Sequence, residues 1–563
     1  MHLKEELSSI VAGELYDDPQ SLDAASRDAS LFEIKPKLVV APKDAKDIGA
    51  LVKYVTAHPE EHLSLTPRSA GTDMSGGPLS RSIVLDMKPH FNQIIEVGDS
   101  YAITEPGVFY RDFEKATLEK GLLLPCYTAS RELNTVGGMV SNNSGGEKTL
   151  SYGKTERYIA EQHMILSDGE EHVIKPLNKK ELAEKMQQDD FEGKLYSDMY
   201  HLIESNYDLI KAAKPTVTKN SAGYFLWNVW DRETGIFDLN KVIAGAQGTL
   251  GITTKIKFDL VKPKTHSRLL VIFLANFDGL GDLVNEVLEF KPESFESYDD
   301  HTLKLAMRFA PDMAKSLKGS MIGLALDFIP EVFTVLTMGR LPKLVLMAEF
   351  TADSDEEAEA TAKAAQARIA HRHLHTLTTS SDHEGKKYWT VRRESFNLLR
   401  HHVKEKHTAP FIDDTAVRVE ELPQFLPALD KIMAKYDLIY TIAGHIGDAN
   451  FHIIPLMDLN DPKTQEIIPK LSHEVYDLVY SFKGTITAEH GDGLIHGPFL
   501  KGMYGEKVYE LFKETKKIFD PLDIFNPGKK VEASLTFAMH HFVDDSHVRA
   551  DGATRWKNPP EEK

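Results

Sequence analysis

The stretch that decides the fold is Pro67-Arg68-Ser69-Ala70-Gly71-Thr72-Asp73-Met74-Ser75-Gly76-Gly77. It follows a short apolar run and precedes Ile83–Asp86, which has the pattern of a strand. Glycines, small residues and hydroxyls between two strands form a concave backbone whose N–H groups can face an anion. A tight turn without a ligand is the alternative, and this loop alone leaves both interpretations open.

Two further segments are rich in glycine. The second is Asn134-Thr135-Val136-Gly137-Gly138-Met139-Val140-Ser141-Asn142-Asn143-Ser144-Gly145-Gly146, and the third is Gly245-Ala246-Gln247-Gly248-Thr249-Leu250-Gly251. We predict that the second is a loop that offers backbone and side-chain donors without steric bulk. Neither of the first two continues into the Gly-Lys-Ser/Thr of a nucleotide phosphate loop. The third lacks dinucleotide-fingerprint spacing and is followed by a strand.

Composition restricts the class of protein. A chain of 563 residues exceeds one hydrophobic core, so we expect two to four domains. The apolar fraction of 42% and the charged fraction of 27% are typical of a globular protein. A net charge of −19 argues against a nucleic-acid partner. The single cysteine, Cys126, excludes an intrachain disulfide and a cysteine-ligated iron–sulfur cluster.

The chain carries no obvious membrane or export signal. Met1–Leu15 lacks the basic and apolar parts of a signal peptide. The most apolar stretch, Met321–Met347, contains charged residues and prolines, so we expect no transmembrane segment. We predict a cytoplasmic protein and leave peripheral membrane contact open.

The secondary-structure pattern predicts an α+β fold. From Lys37 to Lys262, short β-rich runs alternate with helical patterns such as Ala45–Ala57. A second unit combines strands such as Leu269–Leu274 with amphipathic helices, which indicates an α+β cap. The predicted divisions are a leader with little core (1–30), a first domain (31–263), a cap (264–500), a C-terminal segment that returns to the first domain (501–535) and a polar tail (536–563).

Histidines and a glutamate dominate the second half. Gly444-His445-Ile446-Gly447-Asp448-Ala449-Asn450-Phe451-His452 has strand patterns on both sides, so a hairpin can bring the two imidazoles together. Glu489-His490-Gly491-Asp492-Gly493 adds a carboxylate beside another histidine. Imidazoles and a carboxylate bind zinc, iron, cobalt or manganese. With 24 histidines in the chain, a structural His pair is the alternative, but the later Glu-His-Gly favours a metal site.

Together, the three glycine segments resemble the FAD-binding domain of the vanillyl-alcohol oxidase / p-cresol methylhydroxylase superfamily, over roughly residues 37–262. The resemblance implies a two-subdomain FAD-binding domain followed by a cap that contains an antiparallel sheet. It assigns the first segment to the FAD pyrophosphate, the second to the flavin side and Ile252 to the adenine-ribose end. The implied FAD-binding residues are Pro67, Arg68, Ser69, Ala70, Gly71, Thr72, Ser75, Thr135, Gly138, Ser141, Asn142, Gly145, Gly248, Ile252 and Asn526.

Many members of this superfamily hold FAD covalently through a histidine in the first loop. Thr72 occupies that place here and cannot form the bond. Cys126, in a Leu-Pro-Cys-Tyr turn, is interpreted as an ordinary thiol. The resemblance therefore implies non-covalent FAD.

The two histidine segments resemble FAD-linked D-2-hydroxy-acid dehydrogenases: D-lactate dehydrogenase, D-2-hydroxyglutarate dehydrogenase and the glycolate oxidase flavoprotein subunit. The pattern Gly-His-x-Gly-Asp-Gly-Asn-x-His is matched except for Ala449, and Glu-His-Gly is intact. The family's closing Phe-Asp-Pro…Asn-Pro-Gly-Lys is also present, at 519–521 and 526–529.

The resemblance also implies roles for the residues of these segments. His445, His452 and Glu489 would bind a divalent metal, for which zinc is our choice. His490 would be the general base. Arg392, in Trp389-Thr390-Val391-Arg392, would hold the substrate carboxylate, with Arg393 as the second choice.

The implied function is oxidation of a small D-2-hydroxy acid to the 2-oxo acid by hydride transfer to flavin. Ile454 lies where some D-2-hydroxyglutarate enzymes place a polar contact, so a D-lactate-like substrate is favoured. Because no iron–sulfur domain is present, a separate acceptor is expected: a quinone, an electron-transfer protein or a cytochrome. The alternatives are an alkyl transferase of the alkyl-dihydroxyacetonephosphate synthase type and an FAD-carrying subunit active only in a complex. A homodimer is left open.

Overall fold

The computed structural model describes residues 2–300, 302–304, 339, 341–381, 384–386, 388–392, 407–459 and 461–543. Its strands are β1 (Glu14–Tyr16), β2 (Leu38–Ala41), β3 (Leu65–Arg68), β4 (Ile83–Asp86), β5 (Ile94–Val97), β6 (Tyr101–Thr104), β7 (Ile159–Ile165), β8 (Glu171–Ile174), β9 (Trp230–Asp231), β10 (Ile236–Phe237), β11 (Ile252–Asp259), β12 (His266–Leu274), β13 (Ser294–Asp299), β14 (Leu344–Ala352), β15 (His375–Thr378), β16 (His407–Thr408), β17 (Thr415–Ala416), β18 (Ile439–His445) and β19 (Asn450–Met457).

Its α-helices are α1 (His2–Leu7), α2 (Pro19–Ala25), α3 (Ala45–Ala57), α4 (Tyr110–Leu118), α5 (Val136–Asn142), α6 (Thr149–Tyr152), α7 (Lys179–Met186), α8 (Phe191–Ser205), α9 (Tyr207–Ala212), α10 (Asn240–Ile243), α11 (Leu280–Leu288), α12 (Asp355–Arg368), α13 (Leu422–Met433), α14 (Pro462–Ser481), α15 (Gly493–His496), α16 (Leu500–Phe519) and α17 (Leu535–Met539). Short 3-10 helices span Pro59–Glu61, Thr155–Arg157, Leu226–Asn228, Ala370–Arg372, Val419–Glu421, Ile446–Asp448 and Gly497–Phe499.

The first half of the chain contains two main sheets. One has the order β1-β2-β4-β3, in which β4 pairs parallel with β2 and β3, and β1 is antiparallel. The other is antiparallel, with the order β5-β6-β11-β7-β8. All residues of β2 are buried, as expected for a parallel strand covered on both faces, whereas β11 alternates between buried and partly exposed positions.

The second half forms an eight-stranded antiparallel sheet with the path β15-β12-β14-β13-β18-β19-β16, and β17 also pairs with β19. Helices α11 to α14 contribute buried side chains to a core shared with this sheet, among them Val284, Ala362, Phe425 and Val475. The prediction of an α+β fold with an antiparallel sheet in the cap is confirmed.

Helix α16 packs against the first half of the chain. Its residues Phe512 and Phe519 share a core with Tyr196 and Phe237. The C-terminal part of the chain thus contacts the first sheets, although the predicted domain boundaries stay predictions.

Two local predictions are wrong. Residues 1–30 were expected to contribute little core, but Leu7 and Val11 are buried in the core around β2, and β1 extends that sheet. These apolar residues are spaced within a strongly polar segment, which conceals their packing role. The second glycine segment was predicted to be a loop, but it forms α5.

Helix α5 has an identifiable cause. The side-chain oxygen of Thr135 caps it by accepting a hydrogen bond from the backbone of Gly138, at 3.3 Å. Val136, Met139 and Val140 follow helical spacing and are all buried. The cap and this apolar face outweigh the low helix propensity of two glycines.

Within the described residues, no helix is both long and apolar enough to cross a membrane. Most of the apolar stretch 321–347 lies outside them, and its last residues, 344–347, belong to β14. Residues 544–563 of the predicted tail also lie outside.

Candidate active site

One cleft is lined by residues of all three glycine segments, and we call it the glycine cleft. Its lining residues are Pro67, Arg68, Ser69, Met87, Pro106, Gly137, Val140, Ser141, Met164, Ile243, Ala246, Gly248, Leu250, Gly251 and Thr253. Five of the predicted FAD-binding residues are among them: Pro67, Arg68, Ser69, Ser141 and Gly248. Segments far apart in sequence therefore face one space.

Neutral amides hold the cleft together. The Gln247 amide donates hydrogen bonds to the Ser75 hydroxyl at 3.0 Å and to Asn142 Oδ1 at 3.3 Å. Asn142 in turn donates to Asp73 Oδ1 at 2.6 Å, and Asn526 donates to the Gln247 carbonyl at 2.7 Å. Ser75, Asn142 and Asn526 are among the predicted FAD-binding residues, whereas Gln247 and Asp73 are not, although both belong to glycine segments.

Two predicted FAD contacts have other partners. The Arg68 guanidinium donates to the Arg27 carbonyl at 2.5 Å, so it is already partly engaged, while its Nη1 has no hydrogen-bond partner among the described residues. Ile252 is fully buried in the core around β2. The cleft beside it is lined by Gly251 and Thr253.

The other predicted FAD contacts lie around the same segments. Ala70, Gly71 and Thr72 are partly exposed in the loop after β3. A Cβ on Gly138 would lie 3.1 Å from Ser69 Oγ, and one on Gly145 would lie 3.5 Å from Glu489 Oε1. Gly145 thus places the second glycine segment directly against the predicted metal ligands.

The two predicted histidine ligands lie on a hairpin. His445 ends β18, Ile446–Asp448 forms the turn, and His452 belongs to β19, where it pairs with Ala443. The ring centroids of the histidines are 5.3 Å apart. Ala449, the single departure from the family pattern, has φ 47°, a left-handed conformation that favours glycine.

Glu489 completes what we call the metal-ligand cluster, His445, His452 and Glu489. His445 Nε2 lies 3.4 Å from Glu489 Oε1, and His452 Nε2 lies 3.9 Å from Glu489 Oε2. One ligand atom from each residue lies within 4.8 Å of the others. Two imidazoles and a carboxylate in this arrangement suit a zinc site with an open position.

A carboxylate orients each ligand imidazole. Glu296 Oε1 lies 2.5 Å from Nδ1 of His445, and Asp413 Oδ1 lies 3.2 Å from Nδ1 of His452. Both Nε2 atoms therefore face Glu489. Such contacts fix the tautomer of a metal-binding histidine. Neither carboxylate is among the residues predicted from sequence, because neither lies in one of the motifs that carry the predicted ligands.

His490, the predicted base, lies beside the cluster. Its Nδ1 is 3.2 Å from Asp413 Oδ2, and its ring stacks on His452 at 5.4 Å. The backbone N–H groups of Glu489 and His490 both donate to Asp414 Oδ2, at 2.7 and 2.8 Å. Asp414 thereby fixes the turn that presents both side chains.

A buried lysine lies under the cluster and was also missed. Lys219 Nζ is 2.6 Å from Glu489 Oε1 and 3.3 Å from Asp448 Oδ2, and its side chain is fully buried. Burial alone lowers the pKa of Lys219, but the two carboxylates outweigh burial and raise the pKa above its usual value. Burial likewise opposes ionisation of Glu489, yet Lys219 and His445 hold the pKa of Glu489 well below normal.

The electrostatics of the cluster favour positive charge. Burial lowers the pKa of His445, but Glu296 reverses that effect and raises the pKa to about 9. For His490, burial is likewise outweighed by Asp414 and Asp413, which raise the pKa to about 10. Buried carboxylates that stabilise imidazolium ions provide the negative field that a divalent cation also requires.

Arg392 is the last predicted site residue. Its guanidinium NH2 group lies 3.2 Å from Glu296 Oε2, and its side chain is 15% exposed. Its Nε is buried and has no hydrogen-bond partner in the described part of the chain. Arg393 lies outside the described residues. The structure thus brings Arg392, His490 and the metal-ligand cluster into one connected group.

Two protein families match separate parts of the chain. Residues 36–175 match the family described as "FAD binding domain", and residues 263–530 match "FAD linked oxidases, C-terminal domain". Together they account for more than half of the 563 residues. The chain therefore contains an FAD binding domain followed by a C-terminal domain of the FAD-linked oxidase type, and the predicted family resemblance is confirmed.

Similar proteins include a D-2-hydroxyglutarate dehydrogenase of Pseudomonas putida, 28% identical over 92% of this chain and 50% of that protein. The glycolate oxidase subunit GlcD of Bacillus subtilis is 28% identical over 94% of this chain and 96% of its own. A D-lactate dehydrogenase of Archaeoglobus fulgidus is 25% identical over 88% and 91%. The chain spans about half the length of the first of these relatives.

Solved structures share the fold. A 4-ethylphenol oxidase from Gulosibacter chungangensis superposes with a TM-score of 0.65 at 14% identity, over 94% of this chain and 96% of that one. An alkyldihydroxyacetonephosphate synthase gives a TM-score of 0.63 at 13% identity, over 94% and 84%. At this level of sequence identity, the structural similarity shows a shared fold alone.

Proposed function

We propose that the protein oxidises a small D-2-hydroxy acid of the D-lactate type to the 2-oxo acid, with FAD as the hydride acceptor. One observation carries this proposal: Arg392, His490 and the metal-ligand cluster are connected through Glu296 and Asp413. A carboxylate-binding group, a base and a metal site are the parts that oxidation of a hydroxy acid needs.

FAD fits the glycine cleft, where all three glycine segments meet and where Arg68 has a buried guanidinium nitrogen without a hydrogen-bond partner among the described residues. The segments 67–77, 134–146 and 245–251 would hold it, with Gly145 next to Glu489. FAD supplies the two-electron acceptor that no side chain provides. Thr72 offers no covalent attachment, so the cofactor is non-covalent.

Acid precipitation tests this attachment. We expect flavin absorbance in the supernatant of the precipitated yellow protein, because neither Thr72 nor the buried thiol of Cys126 tethers FAD. Flavin that remains with the pellet after repeated washing would contradict non-covalent binding.

A divalent metal fits His445, His452 and Glu489, whose donor set and oriented Nε2 atoms suit zinc. There it would stabilise negative charge developing on the hydroxyl oxygen of the substrate. Lys219 keeps Glu489 ionised, which is the state that binds a cation.

Arg392 would bind the substrate carboxylate. Its Nε lacks a partner among the described residues, whereas one NH2 group is held by Glu296. Guanidinium binds a carboxylate through two parallel N–H donors, which directs the C–H bond of the substrate as well as retaining it.

His490 would remove the hydroxyl proton. Its Nδ1 faces Asp413, so Nε2 is the nitrogen left for the substrate. Asp414 and Asp413 raise the pKa of His490 to about 10. A divalent cation at the neighbouring histidines would lower that pKa towards neutrality, where histidine commonly serves as a general base.

The substrate is small and carries one carboxylate. Ile454 lies two residues after His452 on β19, hence on the same face of the strand, and it is 7% exposed. An apolar side chain at this position disfavours a second carboxylate. The alkyl-transferase alternative is supported by likeness of fold alone.

Anaerobic mixing of the FAD- and zinc-loaded protein with single acids tests the proposal. We expect flavin bleaching with D-lactate and much less with L-lactate, the matched control, because Arg392 and His490 fix one orientation at the chiral carbon. D-2-hydroxyglutarate and glycolate define the size limit. A flavin that no 2-hydroxy acid reduces would overturn the proposal and favour a subunit that is active only in a complex.

An artificial dye replaces the physiological acceptor in turnover assays. The quinone, electron-transfer protein or cytochrome expected as acceptor, the cytoplasmic location and the homodimer stay predictions.

A further inference from the structure

In each of two buried carboxylates near the site, the two oxygens contact different side chains. Glu296, on β13, places Oε1 2.5 Å from His445 Nδ1 and Oε2 3.2 Å from the Arg392 guanidinium. Its side chain is 1% exposed. One carboxylate thus contacts a predicted metal ligand and the predicted substrate-binding arginine.

Asp413 repeats this arrangement on the other side of the cluster. Its Oδ1 lies 3.2 Å from His452 Nδ1, and its Oδ2 lies 3.2 Å from His490 Nδ1. Its side chain is also 1% exposed. This second carboxylate contacts the other metal-ligand histidine and the predicted base.

The arrangement requires a carboxylate at both positions. An ionised carboxylate presents negative charge at both oxygens, whereas an amide would turn an N–H group towards one of the two cationic or N–H partners. A buried carboxylate without partners is strongly unfavourable, so each partner stabilises the position of the shared group. Movement of one partner therefore disturbs the other.

We propose that Glu296 and Asp413 are positioning residues that couple the metal site to the substrate-contacting side chains, which rests on the function proposed above. Glu296 couples His445 to Arg392, and Asp413 couples His452 to His490. The two connections differ in their chemistry. Glu296 acts on substrate binding, whereas Asp413 acts on proton removal.

The alternative is a purely structural role, in which both carboxylates only satisfy buried donors. Loss of either group would then weaken folding and lower all activities together. Coupling instead requires what we call a crossed pattern: loss of either carboxylate weakens metal binding, but each loss changes a different step of catalysis.

The test uses the FAD-loaded protein with Glu296→Gln or Asp413→Asn. Zinc affinity is measured by competition with a chromophoric chelator, and stopped-flow reduction by D-lactate gives the apparent dissociation constant and the limiting rate. Both variants should bind zinc about 10–100-fold more weakly, the usual effect of losing the partner of a ligand imidazole.

At zinc concentrations that saturate each variant, the kinetics of flavin reduction should differ between the two variants. Glu296→Gln should raise the dissociation constant of D-lactate on the order of tenfold with little change in limiting rate, as expected when ground-state and transition-state binding are lost equally. Asp413→Asn should lower the limiting rate by roughly 10–100-fold with little change in dissociation constant, as for an impaired general base.

Glu349→Gln is the matched control, since Glu349 is a partly buried glutamate on the neighbouring strand β14, where it pairs with Ser294. It should retain wild-type zinc affinity and kinetics. FAD content verifies the fold of each variant. Where an amide variant loses FAD, Glu296→Asp or Asp413→Glu replaces it, with the same crossed pattern expected.

The same kinetic change in both variants, or wild-type zinc affinity in either, would overturn the coupling. A wild-type protein that binds no zinc or is not reduced by any D-2-hydroxy acid would overturn the proposed function and this inference with it. If the wild-type protein binds zinc and is reduced by D-lactate, but the two variants do not show these different kinetic changes, only the inference is overturned.

Discussion

The glycine cleft and the metal-ligand cluster are adjacent but are stabilised differently. Neutral groups such as Gln247, Asn142 and Asn526 join the segments of the cleft. In the cluster, Lys219 and Glu489 form a buried ion pair. A lost neutral hydrogen bond costs about 1–3 kcal/mol when its partner stays buried. An unpaired buried charge costs about 3–5 kcal/mol.

This difference indicates where tolerance to substitution is expected. The cleft can keep its shape when one amide is substituted, because several hydrogen bonds each contribute part of its stabilisation. The metal-ligand cluster depends on the balance of buried charges, so the loss of one charged side chain leaves a neighbouring charge uncompensated. Variants of His490, Lys219 and Gln247 test this difference between the two regions, in order of decreasing expected effect.

His490→Ala should give the largest loss of activity. We expect flavin reduction by D-lactate to slow roughly 10²–10⁴-fold, the usual contribution of a general base. Zinc and FAD should be retained, because His490 is outside the metal-ligand cluster. Stopped-flow reduction and metal analysis measure both effects. The exposed His473→Ala serves as the control, and a wild-type rate in His490→Ala would exclude it as the base.

Lys219→Met should cause the largest loss of stability. Its removal deprives buried Glu489 and Asp448 of the ammonium that they share and leaves only the imidazoles of His445 and His452 beside Glu489 among the described cations, so the free energy of unfolding should fall by about 3–5 kcal/mol. Urea unfolding of the metal-free protein measures this change. Lys214→Met, an exposed lysine of the same segment, should change stability by less than about 0.5 kcal/mol. Equal stability of the two variants would contradict the importance of charge balance.

Gln247→Leu should have a smaller effect, confined to the cleft. The side chain both donates to Ser75 and accepts from the backbone of Gly493, at 3.0 and 2.8 Å. Its loss should cost about 1–3 kcal/mol and weaken FAD retention. Gln366→Leu, on the cap, is the control, since its partner Thr376 lies on β15. A larger loss of unfolding free energy in Gln247→Leu than in Lys219→Met would contradict the greater tolerance expected of the cleft.

The sequence predicted much of both regions because their main residues lie in short motifs. His445 and His452 are close in sequence on a hairpin, so local pattern and ligand chemistry suffice to pair them. The glycine segments are likewise continuous. Helix α5 was missed because glycine content was given more weight than the cap at Thr135.

Residues that support the cluster could not be predicted in the same way. Glu296, Asp413 and Lys219 come from separate segments, and their meeting depends on the pairing of β13 with β18 and on packing between the two halves of the chain. No local periodicity encodes such contacts. The sequence of β13, Ser-Phe-Glu-Ser-Tyr-Asp, has two acidic residues and no apolar run, so nothing in it distinguishes Glu296 or identifies its partners.

Flavin reduction by D-lactate in FAD-loaded protein, measured before and after removal of the metal, decides whether the metal takes part in the reaction. Chelator-treated protein should retain FAD, lose rapid reduction and recover it when zinc is added back. His445→Ala, His452→Ala and Glu489→Ala should each lower zinc content and remain slow after zinc addition. If fully metal-free protein reduces its flavin at the untreated rate, the metal has no part in the reaction, and the chemistry proposed for this site is wrong.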